Sequence, residues 1–205
     1  AIYIVDQNIA QLYGGRLKNI LSSRVLTIEA SEENKSLSCF PDYIEALVKL
    51  NVRRGQVLVA IGGGIIQDIT CFLATTMMRG LPWVFYPTTL LAQSDSCIGS
   101  KSSINSGDIK NILGTFSPPK NIVVDVDFLQ TLKKKEIYSG IGEMIKVHAI
   151  DSPESFNKIA DSYEEIVVNF DIMEGFIYNS LLMKKKLIEI DEFDMGPRNV
   201  MNYGH

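Results

Sequence analysis

The 205-residue sequence has little of several features that mark particular classes of protein. It has two histidines and three cysteines (Cys39, Cys71 and Cys97), and no two cysteines have the CxxC spacing of a zinc or redox motif. Acidic residues outnumber basic ones by 24 to 20, which argues against a protein that binds nucleic acid or a membrane surface. No uncharged stretch reaches the roughly 20 apolar residues of a membrane-spanning helix. We therefore expect a globular protein of the reducing cytoplasm, without disulfides.

What the sequence does contain is an alternation of short β-branched segments with segments of helical periodicity. Strands are predicted at residues 2–5, 25–29, 57–61, 83–86 and 122–125, and helices at residues 37–50 and 65–78. From about residue 131 the pattern becomes helical, with helices predicted at residues 133–150, 163–170 and 172–190. The fold class is therefore α/β, with a parallel sheet covered on both faces and a mainly helical part after it.

A glycine-rich turn follows the third predicted strand. Gly62, Gly63 and Gly64 stand between an apolar run and a helical segment that contains Asp68. Consecutive glycines let a ligand approach the backbone, and the N–H groups at the start of a helix favour an anion such as the pyrophosphate of a dinucleotide. The spacing is not the GxGxxG of the standard dinucleotide fingerprint, so a tight turn without a ligand is the alternative.

Two polar segments follow. Residues 87–101 collect hydroxyl groups, Asp95 and Lys101 without a helical period, which is typical of a ligand loop at the carboxyl end of a strand. The second segment contains Asn105 and the pair Lys110 and Asn111; lysine offers a charge to phosphate, and asparagine offers neutral hydrogen bonds. For each segment, ordinary loop composition is the alternative interpretation.

The helical part carries charged residues at helical spacing. Glu143 and Lys146 are three positions apart and so lie on one helix face, where a structural salt bridge is the alternative to a functional role. Arg198, Asn202 and His205 recur at intervals of four and three, so a helix would present them together. Arginine suits a carboxylate, and histidine suits zinc.

Together these features resemble the 3-dehydroquinate synthases and their relatives among the sugar-phosphate cyclases. The matching segments are GGGIIQD (62–68), RGLPWVFYPTTLLAQSDSCIGSK (79–101), KNILGTF (110–116), GEMIK (142–146) and RNVMNYGH (198–205). The resemblance implies a Rossmann-like, parallel-sheet domain that binds NAD, residues 1–131, and then the first part of a mainly α-helical metal and substrate domain, residues 132–205. It also implies that the helical domain is truncated, because a third metal ligand is expected in a histidine beyond His205.

The resemblance further implies a set of cofactor contacts. Asp6 and Asn8 match contacts on the adenosine side, the glycine turn matches the pyrophosphate and ribose region, and the segment after Pro87 matches the nicotinamide side. The complete set matched to NAD is Asp6, Asn8, Glu32, Lys35, Gly63, Gly64, Asp68, Thr88, Thr89, Asp95, Ser96 and Lys110.

Metal and substrate residues follow from the same resemblance. Glu143 and His205 match two of the three ligands of a catalytic Zn²⁺ (or Co²⁺). Lys184 and Arg198 match the pair that holds the substrate carboxylate in dehydroquinate-forming members. By itself, the run of three lysines at 184–186 indicates a solvated helix face. The remaining matches to substrate or phosphate contacts are Arg79, Lys101, Asn111, Lys146 and Asn202.

The implied activity is the conversion of 3-deoxy-D-arabino-heptulosonate 7-phosphate to 3-dehydroquinate and phosphate, a lyase reaction of the shikimate pathway in which NAD ends unchanged. We expect a phosphorylated sugar acid as substrate, a homodimer, and no nucleic-acid or membrane partner. Ser100 replaces a glycine of the usual Gly-Gly-Lys, and Gln67 a glycine before Asp68, so a cyclase of the 2-deoxy-scyllo-inosose or sedoheptulose 7-phosphate type is an alternative. A metal-dependent polyol dehydrogenase and an inactive NAD-binding fragment are the others.

Overall fold

The computed structural model describes residues 1–203, and its contacts divide the chain into two compact units. The first unit comprises residues 1–88 and 100–124, and the second comprises residues 89–99 and the chain from residue 125 onward. The predicted domain boundary at residue 131 remains a prediction.

The first unit is built on a five-stranded parallel sheet with the order β2-β1-β3-β4-β7, and it also contains a separate antiparallel hairpin of β5 and β6. The strands are β1 Ile2–Asp6, β2 Val25–Ile28, β3 Leu58–Gly62, β4 Trp83–Pro87, β5 Lys101–Ser106, β6 Ile109–Phe116 and β7 Asn121–Ile122. Every residue of the central strand β3 is buried, as expected of a parallel strand covered on both faces. The predicted α/β fold with a parallel sheet is confirmed.

Four α-helices accompany the sheet in the described part of this unit, namely α1 Gln7–Leu12, α2 Lys18–Leu21, α3 Phe40–Lys49 and α4 Gly64–Thr76. Pro41 lies at the start of α3, where its missing N–H costs nothing, and Asp42 complements the helix dipole there. On α4, Ile66, Ile69 and Leu73 are buried at the spacing of one helix face. The predicted amphipathic helices are therefore present.

The hairpin β5–β6 was not predicted, because the sequence analysis placed no strand between residues 86 and 122 and regarded the polar residues around Asn105 and Asn111 as candidate ligand contacts, with ordinary loop composition as the alternative. Residues 101–116 instead pair as antiparallel strands around a turn at Gly107, where φ is +56°. On β5, Ile104 is fully buried, but most of its neighbours are polar, so the apolar signal of a strand is weak.

The second unit is helical. Its helices are α5 Lys134–Asp151, α6 Pro153–Asp161, α7 Tyr163–Val168 and α8 Phe170–Ile190, and shorter helical turns span Ala92–Ser96, Val126–Thr131 and Pro197–Asn202. Helix α6 was not predicted, although Ser152 caps it by accepting from the Ser155 N–H at 3.1 Å and Pro153 follows.

None of the described helices has both the length and the apolar character that a membrane span requires. The three cysteines, Cys39, Cys71 and Cys97, are free thiols in the structure.

Two glycines on α5 have different surroundings. A Cβ on Gly140 would lie 2.4 Å from Cγ of Leu90, so α5 and the segment that contains Leu90 approach more closely there than any side chain allows. A Cβ on Gly142 would have no described atom within 4 Å.

We predict opposite effects of alanine at these two positions. Gly140→Ala should lower the free energy of unfolding by about 1–3 kcal/mol, because Leu90 must move. Gly142→Ala should raise it by up to about 1 kcal/mol, because alanine is the better helix former. Chemical denaturation of the two variants provides the measurement, and equal effects would contradict the close packing at Gly140.

Candidate functional site

The glycine turn between β3 and α4 lies at the carboxyl edge of the parallel sheet. The carbonyl of Gly62 accepts a hydrogen bond from the N–H of Thr88 at 2.9 Å, so the ends of β3 and β4 meet there. A Cβ on Gly62 would lie 2.5 Å from Cγ1 of Ile66, so the approach of strand and helix requires glycine. Gly63 and Gly64 begin α4, whose first N–H groups have no partner within the helix. This arrangement fits the pyrophosphate of a dinucleotide.

A buried ammonium group organises the polar residues of the first unit. Lys35 is 5% exposed, and its Nζ donates to Oδ2 of Asp68 at 3.1 Å and to Oδ1 of Asn111 at 2.8 Å. Ser103 donates from its N–H to Oδ1 of Asp68 and from its Oγ to Oδ1 of Asn111. Oε1 of Glu32 lies 3.9 Å from Nζ of Lys35. We name the following residues the Lys35 cluster: Glu32, Lys35, Asp68, Ser103, Asn105 and Asn111.

The charge of Asp68 depends on Lys35. Burial raises the pKa of the Asp68 carboxyl above its usual value, and the Lys35 ammonium and the Ser103 N–H offset part of that rise. The Glu32 carboxylate adds to the rise. Removing Lys35 would therefore leave a carboxylate that is costly to ionise.

A cavity of about 430 Å³ opens beside the Lys35 cluster. Asp68, Lys101, Ser103 and Asn111 contribute to its lining. The structure thus brings two predicted substrate contacts, Lys101 and Asn111, together with a predicted cofactor contact, Asp68. Ammonium, hydroxyl and carboxamide groups around one cavity suit a phosphate or a polyhydroxylated ligand.

Three other predicted cofactor contacts of the first unit, Asp6, Asn8 and Lys110, are not members of the Lys35 cluster. Oδ1 of Asp6 accepts from the N–H of Asn8 at 2.9 Å and so caps α1 at the carboxyl end of β1. Asp6 is buried, whereas Asn8 is exposed. Lys110 is exposed on β6, and its charge helps to lower the pKa of Glu33, whose main lowering comes from a hydrogen bond to the backbone.

Arg79 is not brought to the Lys35 cluster within the first unit. It lies in the turn Met77–Arg79 after α4, which places it about 20 Å along the 13-residue helix from the glycine turn. There Arg79 lines a different cavity, together with Arg53 and Arg54. Its predicted role as a substrate contact remains a prediction.

In the second unit, Glu143 and Lys146 form an ion pair on α5. Nζ of Lys146 lies 2.6 Å from Oε1 of Glu143 and donates to the carbonyl of Met201 at 2.8 Å. Both charged side chains are nearly buried, with exposures of 12% and 13%. Lys146 therefore links α5 to the turn Pro197–Asn202.

Lys184 is buried on α8 and pairs with Asp95. Its Nζ lies 2.5 Å from Oδ1 of Asp95 and donates to the Asp95 carbonyl at 2.7 Å. Arg198, 6% exposed, donates from Nη1 to the carbonyl of Glu192 at 2.6 Å. A Cβ on Gly99 would lie 3.3 Å from Nη2 of Arg198, so both cations adjoin the loop of residues 95–99.

The remaining predicted residues of the second unit are more dispersed. Thr89 lines a cavity of about 450 Å³ with Lys133 and Ser139, neither of which the sequence singled out. Ser96 is half-buried in the turn Ala92–Ser96, and Asn202 is exposed. The predicted metal ligand His205 lies outside the described residues. Residues 1–203 contain no group of three or more histidine, cysteine, aspartate or glutamate side chains placed to hold a metal ion.

Sequence reasoning missed Ser103, and it singled out Asn105 only as part of a polar segment, without a role in the cofactor or substrate set. Both lie on β5, where residues of odd number share one face with Lys101. The dipeptide Ser106-Gly107 is a turn signal that could have revealed the hairpin and, with it, this shared face.

We predict that Lys35→Met lowers the free energy of unfolding at about pH 7 by roughly 3 kcal/mol, because it leaves the Asp68 carboxylate buried without its cation. The raised pKa of Asp68 means that the folded state favours the protonated acid. The free energy of unfolding therefore falls as the pH rises above the pKa that Asp68 has in the unfolded chain. The deficit of the variant should therefore shrink towards pH 4. Urea denaturation between about pH 4 and pH 7 measures this difference in the free energy of unfolding. The control is Lys49→Met, which removes an exposed ion pair with Glu45 and should change the free energy of unfolding little.

Comparison with known proteins gives consistent matches along the chain. The profile described as 3-dehydroquinate synthase N-terminal matches residues 25–139, and that described as 3-dehydroquinate synthase C-terminal matches residues 140–205. A 3-dehydroquinate synthase of Clostridium tetani is 35% identical over 206 residues, covering 98% of this chain and 55% of that protein. One of Streptococcus thermophilus is 37% identical over 210 residues, covering 98% of this chain and 58% of that protein.

A solved structure shows the same fold. ValA, a 2-epi-5-epi-valiolone synthase from Streptomyces hygroscopicus subsp. jinggangensis 5008 with NAD⁺ and Zn²⁺ bound, matches with a TM-score of 0.91 and 25% identity. The match covers 100% of this chain and 59% of ValA. The chain thus spans a little over half the length of the relatives it matches. The sequence matches along both parts of the chain establish that it belongs to the 3-dehydroquinate synthase family.

Proposed function

We propose that this chain is part of a 3-dehydroquinate synthase. Such an enzyme converts 3-deoxy-D-arabino-heptulosonate 7-phosphate to 3-dehydroquinate and phosphate with catalytic NAD. The observation that carries the proposal is the burial of Lys184 and Arg198 beside one loop, residues 95–99. Two buried cations at one loop suit a substrate that carries a carboxylate. Membership of the family supports the reaction class.

In the first unit, the glycine turn would hold the NAD pyrophosphate, with Asp68 and Thr88 beside it. The chemistry that NAD supplies when bound is the reversible oxidation of a ring hydroxyl, which acidifies the neighbouring C–H bond. Lys101 and Asn111 line one cavity and would bind the phosphate group. The Lys101 ammonium would stabilise the charge that grows on phosphate as it leaves, which lowers the barrier to elimination.

In the second unit, Glu143 would contribute a carboxylate ligand to Zn²⁺ or Co²⁺, a Lewis acid that polarises substrate oxygens when bound. The described residues supply this one predicted ligand, and Lys146 balances its charge. Lys146, held between Glu143 and the Met201 carbonyl, would donate a hydrogen bond to a substrate oxygen. Lys184 and Arg198 would orient the substrate through its carboxylate. A phosphorylated sugar acid as substrate and a homodimer belong to the same proposal.

A cyclase that acts on a different sugar phosphate is the second candidate. Ser100, which replaces a glycine of the family pattern, favours it. Ser100 is 2% exposed, and its Oγ makes no hydrogen bond to any described residue, so the hydroxyl adds a polar group to a buried position.

Phosphate release tests the proposal directly. The protein, supplied with NAD and with Zn²⁺ or Co²⁺, should release phosphate from 3-deoxy-D-arabino-heptulosonate 7-phosphate without net accumulation of NADH. Release from sedoheptulose 7-phosphate instead would favour the second candidate. Net NADH formation from a polyol would favour a dehydrogenase and overturn both.

Adjacent lysines on α8 allow a matched test of carboxylate binding. We predict that Lys184→Met lowers kcat/KM by about 10- to 150-fold, because a charged hydrogen-bonding partner of the substrate is lost. Lys185 is exposed and pairs with Glu189 at 2.9 Å, so Lys185→Met should leave kcat/KM unchanged. Steady-state kinetics with thermal melting of both variants provides the measurement. Equal kinetics for the two variants would rule out a substrate role for Lys184.

A further inference from the structure

Asn105 occupies an irregular position in the hairpin β5–β6. The ladder pairs Ile104 with Leu113 and Ser106 with Ile109, so three residues of β6, 110–112, lie opposite Asn105 alone. This is a bulge in β6. Bulges bend a strand, and near functional sites they redirect side chains.

The bulge places Asn111 in an uncommon backbone conformation. Its φ is +55°, in the left-handed region that asparagine enters more readily than most residues. The N–H of Asn111 donates to Oδ1 of Asn105 at 2.9 Å. The side chain of Asn105 therefore takes the place of the main-chain acceptor that a regular ladder would supply.

The same carboxamide also holds the hairpin to the turn that precedes Lys35. Nδ2 of Asn105 donates to the carbonyl of Glu32 at 3.1 Å and to its Oε2 at 3.0 Å, and Asn105 forms an isolated β-bridge with Ser36. Asn105 is 5% exposed, so these bonds are shielded from water.

The side chain of Asn111 is fixed separately. Its Oδ1 accepts from Nζ of Lys35 at 2.8 Å and from Oγ of Ser103 at 3.0 Å. Asn105 thus sets the main chain of Asn111, and Lys35 and Ser103 set its carboxamide, at the wall of the cavity that also contains Lys101.

We propose that Asn105 is a positioning residue for Asn111: by accepting from the Asn111 N–H and donating to Glu32, it maintains the bulge that presents Asn111 to the substrate cavity. The role of Asn111 as a substrate contact rests on the proposed function. The role of Asn105 in holding the bulge does not, and the two parts can be tested separately.

Kinetic non-additivity tests the link between the two residues. Asn105→Ala should lower kcat/KM about tenfold, consistent with the loss of buried hydrogen bonds that orient a substrate contact. In the background of Asn111→Ala, the same change should cost less than about twofold, because its effect passes through Asn111. A further tenfold loss in that background, or wild-type kinetics for Asn105→Ala, would overturn the proposal.

A stability control separates positioning from simple destabilisation. Oδ1 of Asn169 caps α8 by accepting from the N–H groups of Asp171 and Ile172, so Asn169→Ala removes a comparable asparagine bond far along the chain from the hairpin. It should lower the melting temperature with kcat/KM unchanged. If Asn169→Ala lowers kcat/KM as much as Asn105→Ala, the kinetic effect of Asn105 is one of stability alone.

An isosteric change isolates the bond to Asn111. Asn105→Asp keeps the oxygen that accepts from the Asn111 N–H but puts its second carboxylate oxygen against both the side chain and the carbonyl oxygen of Glu32, to which Nδ2 donates in the wild-type protein. Glu32→Gln removes the first of these two repulsions, and the second remains in the variant. In the background of Glu32→Gln, Asn105→Asp should stay within about threefold of the background in kcat/KM, whereas Asn105→Ala should lose about tenfold. Equal losses for the two changes would contradict a role for the bond to Asn111.

Hydrogen exchange provides a readout that does not depend on the reaction. The amide of Asn111 should exchange about tenfold faster in Asn105→Ala than in the wild-type protein and should stay protected in the Asn105→Asp/Glu32→Gln variant. If the wild-type protein releases no phosphate, the proposed function fails while this experiment still decides the role of Asn105. Unchanged exchange in Asn105→Ala would refute that role even if the protein is active.

Discussion

The buried ion pair between Lys35 and Asp68 is the interaction on which the first unit's polar residues depend. A buried charge is costly unless it is paired and hydrogen-bonded, and Lys35 pairs with Asp68 and donates a further hydrogen bond to Asn111. One ammonium therefore fixes three segments of chain: the turn before α3, the first half of α4 and the hairpin. A change at any of these segments alters the electrostatic environment of the other two.

Local signals were sufficient to predict most of the fold but not the contacts of the site. The glycine turn and the fully buried strand β3 have patterns confined to a few consecutive residues, and both were predicted correctly. Lys35, by contrast, is 33 and 76 positions from the two residues to which it donates, and no periodicity specifies pairings over such distances. The hairpin was missed because its polar residues concealed the alternation of a strand.

The three consecutive lysines of α8 show why identical residues can have different environments. Lys184 is buried against Asp95, whereas Lys185 and Lys186 are exposed, with side-chain exposures of 56% and 71%. A helix turns by about 100° per residue, so one of three neighbours faces the interior and the others do not. Composition alone indicated a solvated run, and the family resemblance singled out Lys184. The half-buried carboxylate of Asp95, with which Lys184 pairs, could be identified as its partner only from the folded chain.

The place of β1 within the sheet has a consequence for how the fold is assembled. β1 lies between β2 and β3 and bonds to both, so the sheet cannot be completed from either side without it. Loss of β1 would leave β2 isolated and would turn β3, whose last residue begins the glycine turn, into an exposed sheet edge. The glycine turn thus follows a strand whose partner in the sheet lies more than fifty residues earlier in the chain, and the pairing of β1 with β3 closes a long loop at a cost in conformational entropy.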